Sequence, residues 1–222
     1  FLMLAACGAD DIASPGTSGN VTINNPAPAP TPTPAPTPTS TLVTPATDCP
    51  NIADTQGLAN GGTITGPTGS YRVCRLPSTV RTSINLPKMA GVVYEINGRV
   101  NIGCDGGFRA PTTAAPFTSS TQGCTTALTE DSNVTLSIAP GVILFGGTGQ
   151  SWVAVNRGNK INAVGTAASP IVFTSRANIE GTADDTTQGQ WGGVVLMGRG
   201  VTTDCNAGTV AAGAANSRER DT

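Results

Sequence analysis

The side chains that could do chemistry in this sequence are few and scattered. Asp184 and Asp185 stand adjacent in the segment GTADDTTQG, with Arg176 before them and Arg199 after. Carboxylates are oxygen ligands for Ca2+, and an arginine beside such a site is a possible base in sugar elimination chemistry. Adjacent side chains on a strand point to opposite faces, so only a bent loop could turn both carboxylates toward one ion. A solvated acidic loop is the expected state, and Ca2+ is the one cofactor these residues raise. Glu130-Asp131 and Asp105-Gly106-Gly107 read as turns, because the other ligands of a cation loop are missing. Gly146-Gly147-Thr148-Gly149 has neither the dinucleotide-binding glycine spacing nor the phosphate-loop lysine, and reads as a tight corner. The sequence contains no histidine, which excludes Ser-His-Asp and Cys-His catalysis and imidazole-bound zinc in these 222 residues. Trp152 and Trp191 are the two tryptophans; an exposed indole is a surface on which a sugar ring can stack.

Six cysteines stand at 7, 49, 74, 104, 124 and 205. No two have C-x-x-C spacing, so neither a redox pair nor a zinc knuckle is indicated. In an exported chain, disulfides are the default fate of such residues. Several pairings are open to a chain with five cysteines after Cys7. Local closure favours Cys49–Cys74 and Cys104–Cys124, each closing a loop of about twenty-odd residues and contributing roughly 3 kcal/mol. Cys205 would then be free or paired beyond Thr222.

The N-terminal FLMLAAC places Leu4-Ala5-Ala6 before Cys7. This resembles the lipobox that ends a bacterial lipoprotein signal peptide. The resemblance implies cleavage before Cys7, diacylglycerol on its sulfur, and residues 1–6 as a signal remnant. The apolar run is shorter than a full signal core and lacks a basic leader, so the chain is expected to extend further at this end, and the ending NSRERDT suggests the same at the other. Gly8 follows Cys7 where an inner-membrane retention signal would place Asp, which by the same resemblance implies the outer membrane. No apolar segment is long enough to span a bilayer. Residues 7–47 then read as anchor and tether. Between Pro26 and Pro38 every second residue is proline, alternating with Ala and Thr. Each proline fixes its own φ and disfavours helix in its predecessor, so the run is polyproline II and reaches roughly 40 Å at about 3.1 Å per residue.

The chain as a whole is low in charge (12% Asp, Glu, Lys and Arg) and in aromatics (4%), with 28 glycines. That composition does not suit a helical or mixed enzyme surface. A net charge of −2 and a pI near 5.0 give no reason to expect nucleic acid as a partner. From residue 92 onward short apolar-alternating runs follow one another: VVYEIN, RVNIG, VTLSI, GVILFG, SWVAVN, KINAVG, PIVFTS and WGGVVLMG. Gly, Asn or Pro separates nearly all of them, and no window carries a helical stripe. An antiparallel sandwich and a parallel β-solenoid both fit strands this short. Aliphatic inward positions with few aromatics favour the solenoid, with three strands per coil, about 22–25 residues per coil and roughly four coils from 132 onward. Leu136, Ile138, Val153, Val155, Ile161, Ile171 and Phe173 are the expected inward residues. Residues 48–91 are assigned to an N-terminal cap over the first coil's exposed edge. Residues 92–222 are assigned to the solenoid, with a disulfide-closed insertion at 104–131.

Three segments, VTLSIAPGVILFGG (134–147), KINAVGTAASPIVFTS (160–175) and QWGGVVLMG (190–198), carry the motifs L-x-I-x-P-G, G-T-x-x-x-P-I-x-F-T-S and W-G-G in that order. This is similar to a family of bacterial cell-surface proteins and implies an all-β, right-handed parallel β-helix. Trp191 belongs to the W-G-G motif and suits a structural role, which leaves Trp152 as the candidate for stacking on a ligand. The expected function is a non-enzymatic outer-membrane or surface lipoprotein, held to the membrane by lipid and presenting its β-helix for binding, adhesion or scaffolding. Its expected partners are a glycan or another outer-membrane protein. Two alternatives stand beside it, a polysaccharide lyase-like enzyme and an accessory lipoprotein of an outer-membrane nutrient transporter.

Overall fold

The computed structural model describes residues 41–200. Cys7, the alternating prolines and Cys205 lie outside the described residues. Among the described residues there are twelve strands and one short helix: β1 (Ala59–Gly66), β2 (Gly69–Arg75), β3 (Thr79–Val80), β4 (Ile84–Leu86), β5 (Val92–Ile96), β6 (Arg99–Ile102), β7 (Thr135–Ile138), β8 (Ile143–Gly146), β9 (Trp152–Val155), β10 (Lys160–Asn162), β11 (Val172–Ser175), α1 (Arg176–Glu180) and β12 (Val194–Leu196). They form three sheets: a first with order β1-β2-β5-β8-β11, a second with β3-β6-β9-β12 and a third with β4-β7-β10. All pairings are parallel except β1 with β2. From β2 onward, consecutive strands enter the first, second and third sheet in strict rotation.

The in-register pairing puts like residues above like. Ile84, Leu136 and Ile161 align across the third sheet, Val100, Val153 and Val194 across the second, and Tyr94 aligns with Leu144 in the first. Each column removes aliphatic surface from water at about 25 cal/mol per Å2, and columns of Val, Ile and Leu need no bulky anchor. Leu136, Ile138, Val153 and Val155 are buried in this core as expected from the sequence. Ile161, Ile171 and Phe173 pack on the same core but are only half-buried, since they belong to the last turn of the described stack. The largest inward side chain is one the aliphatic pattern did not single out. Tyr94 is fully buried, and its hydroxyl donates to the Pro87 carbonyl at 2.6 Å; burial pushes its phenol up to about 12.

The rotation begins earlier than the sequence suggests. β2, β3 and β4 complete a turn of the stack within residues 69–86, inside the stretch assigned to a cap. Residue 92 therefore starts the second turn. The signal was weak because β3 and β4 are only two and three residues long. What covers the open edge is β1, which pairs antiparallel with β2 at the end of the first sheet. Disulfides join Cys49 to Cys74, with Cα atoms 5.5 Å apart, and Cys104 to Cys124 at 5.9 Å. The first ties the N-terminal segment to the buried end of β2. Asp54 ties the same segment to the next corner. Its carboxylate, almost wholly buried, accepts from the backbone N–H groups of Gln56, Arg81 and Thr82. Burial alone would raise its pKa, but these three donors together hold it below the usual carboxylate range.

The second disulfide closes the long excursion between β6 and β7. Phe117 and Leu128 form an antiparallel bridge within it, and the Thr79 hydroxyl donates to the Gln122 carbonyl at 2.8 Å. The excursion thereby rests against the second sheet. Outside the first sheet lies a smaller apolar layer, in which Ile64, Val73, Val93 and Phe145 are buried and Ile179 of α1 packs on them. The five-residue α1 was not legible as a helix, since it has no buried residue of its own to mark a stripe. Its ends hold it instead: the Ser175 hydroxyl accepts from the Asn178 N–H at 3.0 Å, and Gly181 closes it in the left-handed conformation at φ 72°.

Candidate functional site

Trp152 is the first residue of β9, and the inward positions of that strand are Val153 and Val155. Alternation therefore sends Trp152 outward from the second sheet. Its neighbour one rung back is Arg99, aligned with it across β6 and β9. The Arg99 guanidinium lies 4.6 Å from the indole centroid and covers one ring face. The position one rung forward is Gly193, whose carbonyl accepts from the Val153 N–H at 3.0 Å. Gly193 has φ 85°, and a side chain added there would meet nothing within 4 Å. The column that should continue over Trp152 is thus left without a side chain, and Trp152 lines a cleft of about 770 Å3.

Trp191 borders the same cleft but is held differently. Its ring stacks on Phe173 with centroids 6.1 Å apart and planes 4° from parallel, and it packs on the main core. Two close approaches explain the glycines around it. A Cβ on Gly146 would lie 2.3 Å from the Trp191 Cβ, and one on Gly192 would lie 3.0 Å from the Trp152 Cβ. The W-G-G segment is therefore spaced so that a core tryptophan and an outward tryptophan stand side by side.

The remaining walls of the cleft are Thr148, Gln150, Ser151 and Gln190, with Arg176 and Glu180 from α1. Gln150 and Thr148 are exposed and supply amide and hydroxyl groups of both hydrogen-bonding senses. Arg176 donates through Nη2 to Glu95 at 2.9 Å, and its Nη1 lies 3.5 Å from Glu180. The charges in the cleft thus face one another, and uncharged donors and acceptors surround the indole. An apolar plate ringed by such groups suits the alternating C–H and O–H surface of a pyranose.

Asp184 and Asp185 are exposed, in the loop between α1 and β12. The Asp184 Oδ1 is used inside its own turn, accepting from the Thr186 N–H and from the hydroxyls of Thr186 and Thr187. Those bonds hold its carboxyl below the ordinary range. Neither flanking arginine joins it: Arg176 goes to Glu95 and Glu180, and Arg199 goes to Asp131. Among the described residues no group of three or more Asp, Glu, His or Cys side chains gathers as a metal site. The Gly146–Gly149 corner joins β8 to β9 within one turn of the stack, and its Gly147, Thr148 and Gly149 line the cleft.

Three acidic residues have partners that sequence spacing could not reveal. Glu95 on β5 is buried on the outer side of the first sheet between Arg75 (2.8 Å) and Arg176 (2.9 Å). Asp105, read as a turn residue, pairs with Arg157 through two bonds of 2.9 and 2.7 Å. Burial acts to raise its pKa, but Arg157 and the Gly107 N–H lower it on balance. Asp131 pairs with Arg199 through bonds of 2.6 and 2.8 Å. Partners separated by 20 to 81 positions meet because the stack brings residues one or two coils apart onto nearby rungs. The only available signal was the outward position of Glu95 in an otherwise apolar strand.

Residues 118–218 match the family model described as a pectate-lyase-like β-helix domain. No curated protein and no solved structure matches the chain. The family match and the strict three-sheet rotation agree on a β-helix domain.

Proposed function

We propose that this chain is a non-enzymatic lipoprotein of the bacterial outer membrane or cell surface, whose right-handed parallel β-helix binds a glycan at Trp152. The observation that carries the binding reading is the outward Trp152 indole on the wall of the cleft, with the Arg99 guanidinium stacked on it. Right-handedness rests on the strong preference for that hand in crossovers between parallel strands of one sheet. Membrane attachment rests on the lipobox-like residues before Cys7, and the alternating prolines supply a spacer of the length needed to lift a domain from the lipid.

Trp152→Ala is expected to abolish retention of the protein on immobilised polysaccharides, a loss of at least about tenfold in affinity, while leaving the fold intact because the indole lies outside the core. Undiminished retention by the variant would remove the cleft reading. Cys7→Ser in the full chain is expected to eliminate palmitate labelling and release the protein from membranes; unchanged labelling would remove the lipoprotein reading. The family description favours a second reading, an enzyme that eliminates across the glycosidic bond of acidic polysaccharides. That reading requires unsaturated sugar products, detected by ultraviolet absorbance; the binding reading expects retention without them.

A further inference from the structure

We infer that a second pocket, beside Arg99 on the outer face of the second sheet, binds a small oxyanion group such as a sulfate, phosphate or carboxylate. The pocket encloses about 270 Å3, and its polar walls include Arg99, Ser120, Thr121, Gln122, Asp105 and Arg157. The two arginines are held differently. Arg157 is held by both oxygens of Asp105, whereas Arg99 has no carboxylate within 4.0 Å among the described residues.

What holds Arg99 is neutral. Its Nε donates to the Asn101 Oδ1 at 2.7 Å, its Nη2 donates to the Asn156 Oδ1 at 3.4 Å, and its plane rests on Trp152. Asn156 is itself fixed, donating through Nδ2 to the Gly103 carbonyl at 2.7 Å. These contacts orient the guanidinium without neutralising it. A guanidinium held in place with donor capacity left is suited to a planar or tetrahedral oxyanion, which takes paired N–H donors. The facing wall comes from the disulfide-closed excursion, where Ser120 and Gln122 are exposed and add a hydroxyl and an amide of their own. Little ordering remains for an anion to impose, which favours binding.

Arg99 lines this pocket and rests on Trp152, which lines the first cleft, so an anionic substituent on a sugar held at Trp152, or on the next sugar along, is within the reach of this arrangement. The anion pocket nevertheless stands on its own residues and does not require the glycan reading. Calorimetric titration with sodium sulfate, sodium phosphate and sodium glucuronate at low ionic strength tests it, using the wild type, Arg99→Gln, Arg99→Lys, Gln122→Ala and Trp152→Ala. Saturable binding is expected in the wild type, weakened about tenfold by Arg99→Gln, partly recovered by Arg99→Lys, and weakened about threefold by Gln122→Ala, an exposed change that leaves folding untouched. Trp152→Ala should still show saturable binding of the free ions, because Asn101 and Asn156 continue to hold Arg99, with some weakening from the loss of the ring beneath it. A sulfated oligosaccharide that binds more tightly than both its unsulfated form and free sulfate would identify a glycan-borne anion as the source; equal affinity for free sulfate would identify the free ion. Absence of saturable binding, or equal binding by wild type and Arg99→Gln, would overturn the inference while leaving the Trp152 cleft to its own test.

Discussion

Glu95→Ala is expected to destabilise the domain by about 3 kcal/mol, the lower end of the range for removing one partner of a buried ion pair. The Glu95 side chain is 2% exposed and meets two guanidiniums, whereas Arg75 and Arg176 are 39% and 32% exposed. Removing the carboxylate therefore leaves two cations beside each other, but both can turn partly toward water, which limits the loss. Glu95→Gln should cost less, because an amide oxygen still accepts one bond while the charge attraction is gone. Arg75→Ala should cost less again, since Arg176 remains as partner. The effect has a direction in space as well as a size. Arg176 is the first residue of α1, and its guanidinium lies 5.2 Å from the Phe145 ring centroid. Without Glu95, α1 retains Ile179 on the outer apolar layer but loses its charged attachment. Amide exchange should accelerate in α1 before it does in β8 or β9. Because Arg176 and Glu180 wall the Trp152 cleft, ligand affinity should fall in the same variant. Urea unfolding that places Glu95→Ala within about 0.5 kcal/mol of the wild type would show that α1 is held by its apolar contacts alone.

The fold was legible where the pattern is local. Val134, Leu136 and Ile138 alternate with Thr135 and Ser137, and that period alone predicts which face is buried. Loop closure favoured the two disulfide pairings because each joins neighbours in the sequence of cysteines. The first turn of the stack was hidden for the opposite reason. β3 and β4 are too short to show a period, and they exist as strands because β6 and β7 lie beside them. The same dependence hid the charged attachments. Glu95–Arg176, Asp105–Arg157 and Asp131–Arg199 join residues 81, 52 and 68 positions apart, distances set by the coil length and the excursion, not by any motif. Trp152 could be chosen as an outward aromatic from alternation with Val153 and Val155. Its place in a cleft could not, because that depends on Arg176, Glu180, Gln190 and Trp191 folding back beside it.

Leu136→Asp should be the most damaging single change, and its neighbour should be among the mildest. Leu136 is 1% exposed and stands in the column Ile84, Leu136, Ile161 at the centre of the third sheet. Losing a buried leucine forfeits roughly 2 kcal/mol or more of burial, and an unpaired carboxyl in its place adds a desolvation cost of similar size, so the total is at least about 4 kcal/mol. That approaches the whole stability of many domains. Ser137→Asp lies one residue along in the outward column Asn85, Ser137, Asn162, where a carboxylate stays in water and the change should remain within about 0.5 kcal/mol. The pH dependence gives a second check. Burial raises the pKa of the carboxyl that Leu136→Asp introduces above its unfolded value near about 4, so protonation favours the folded state. The deficit of Leu136→Asp relative to wild type should therefore be smallest below about pH 4 and grow as pH rises through the folded-state value. Ser137→Asp should show no such trend. Measured side by side by urea unfolding at several pH values, the two variants test the register on which the column stacking, and with it the outward placement of Trp152, depends. Equal tolerance of both would place the strand one residue out of register and send every side chain of the stack to the opposite face.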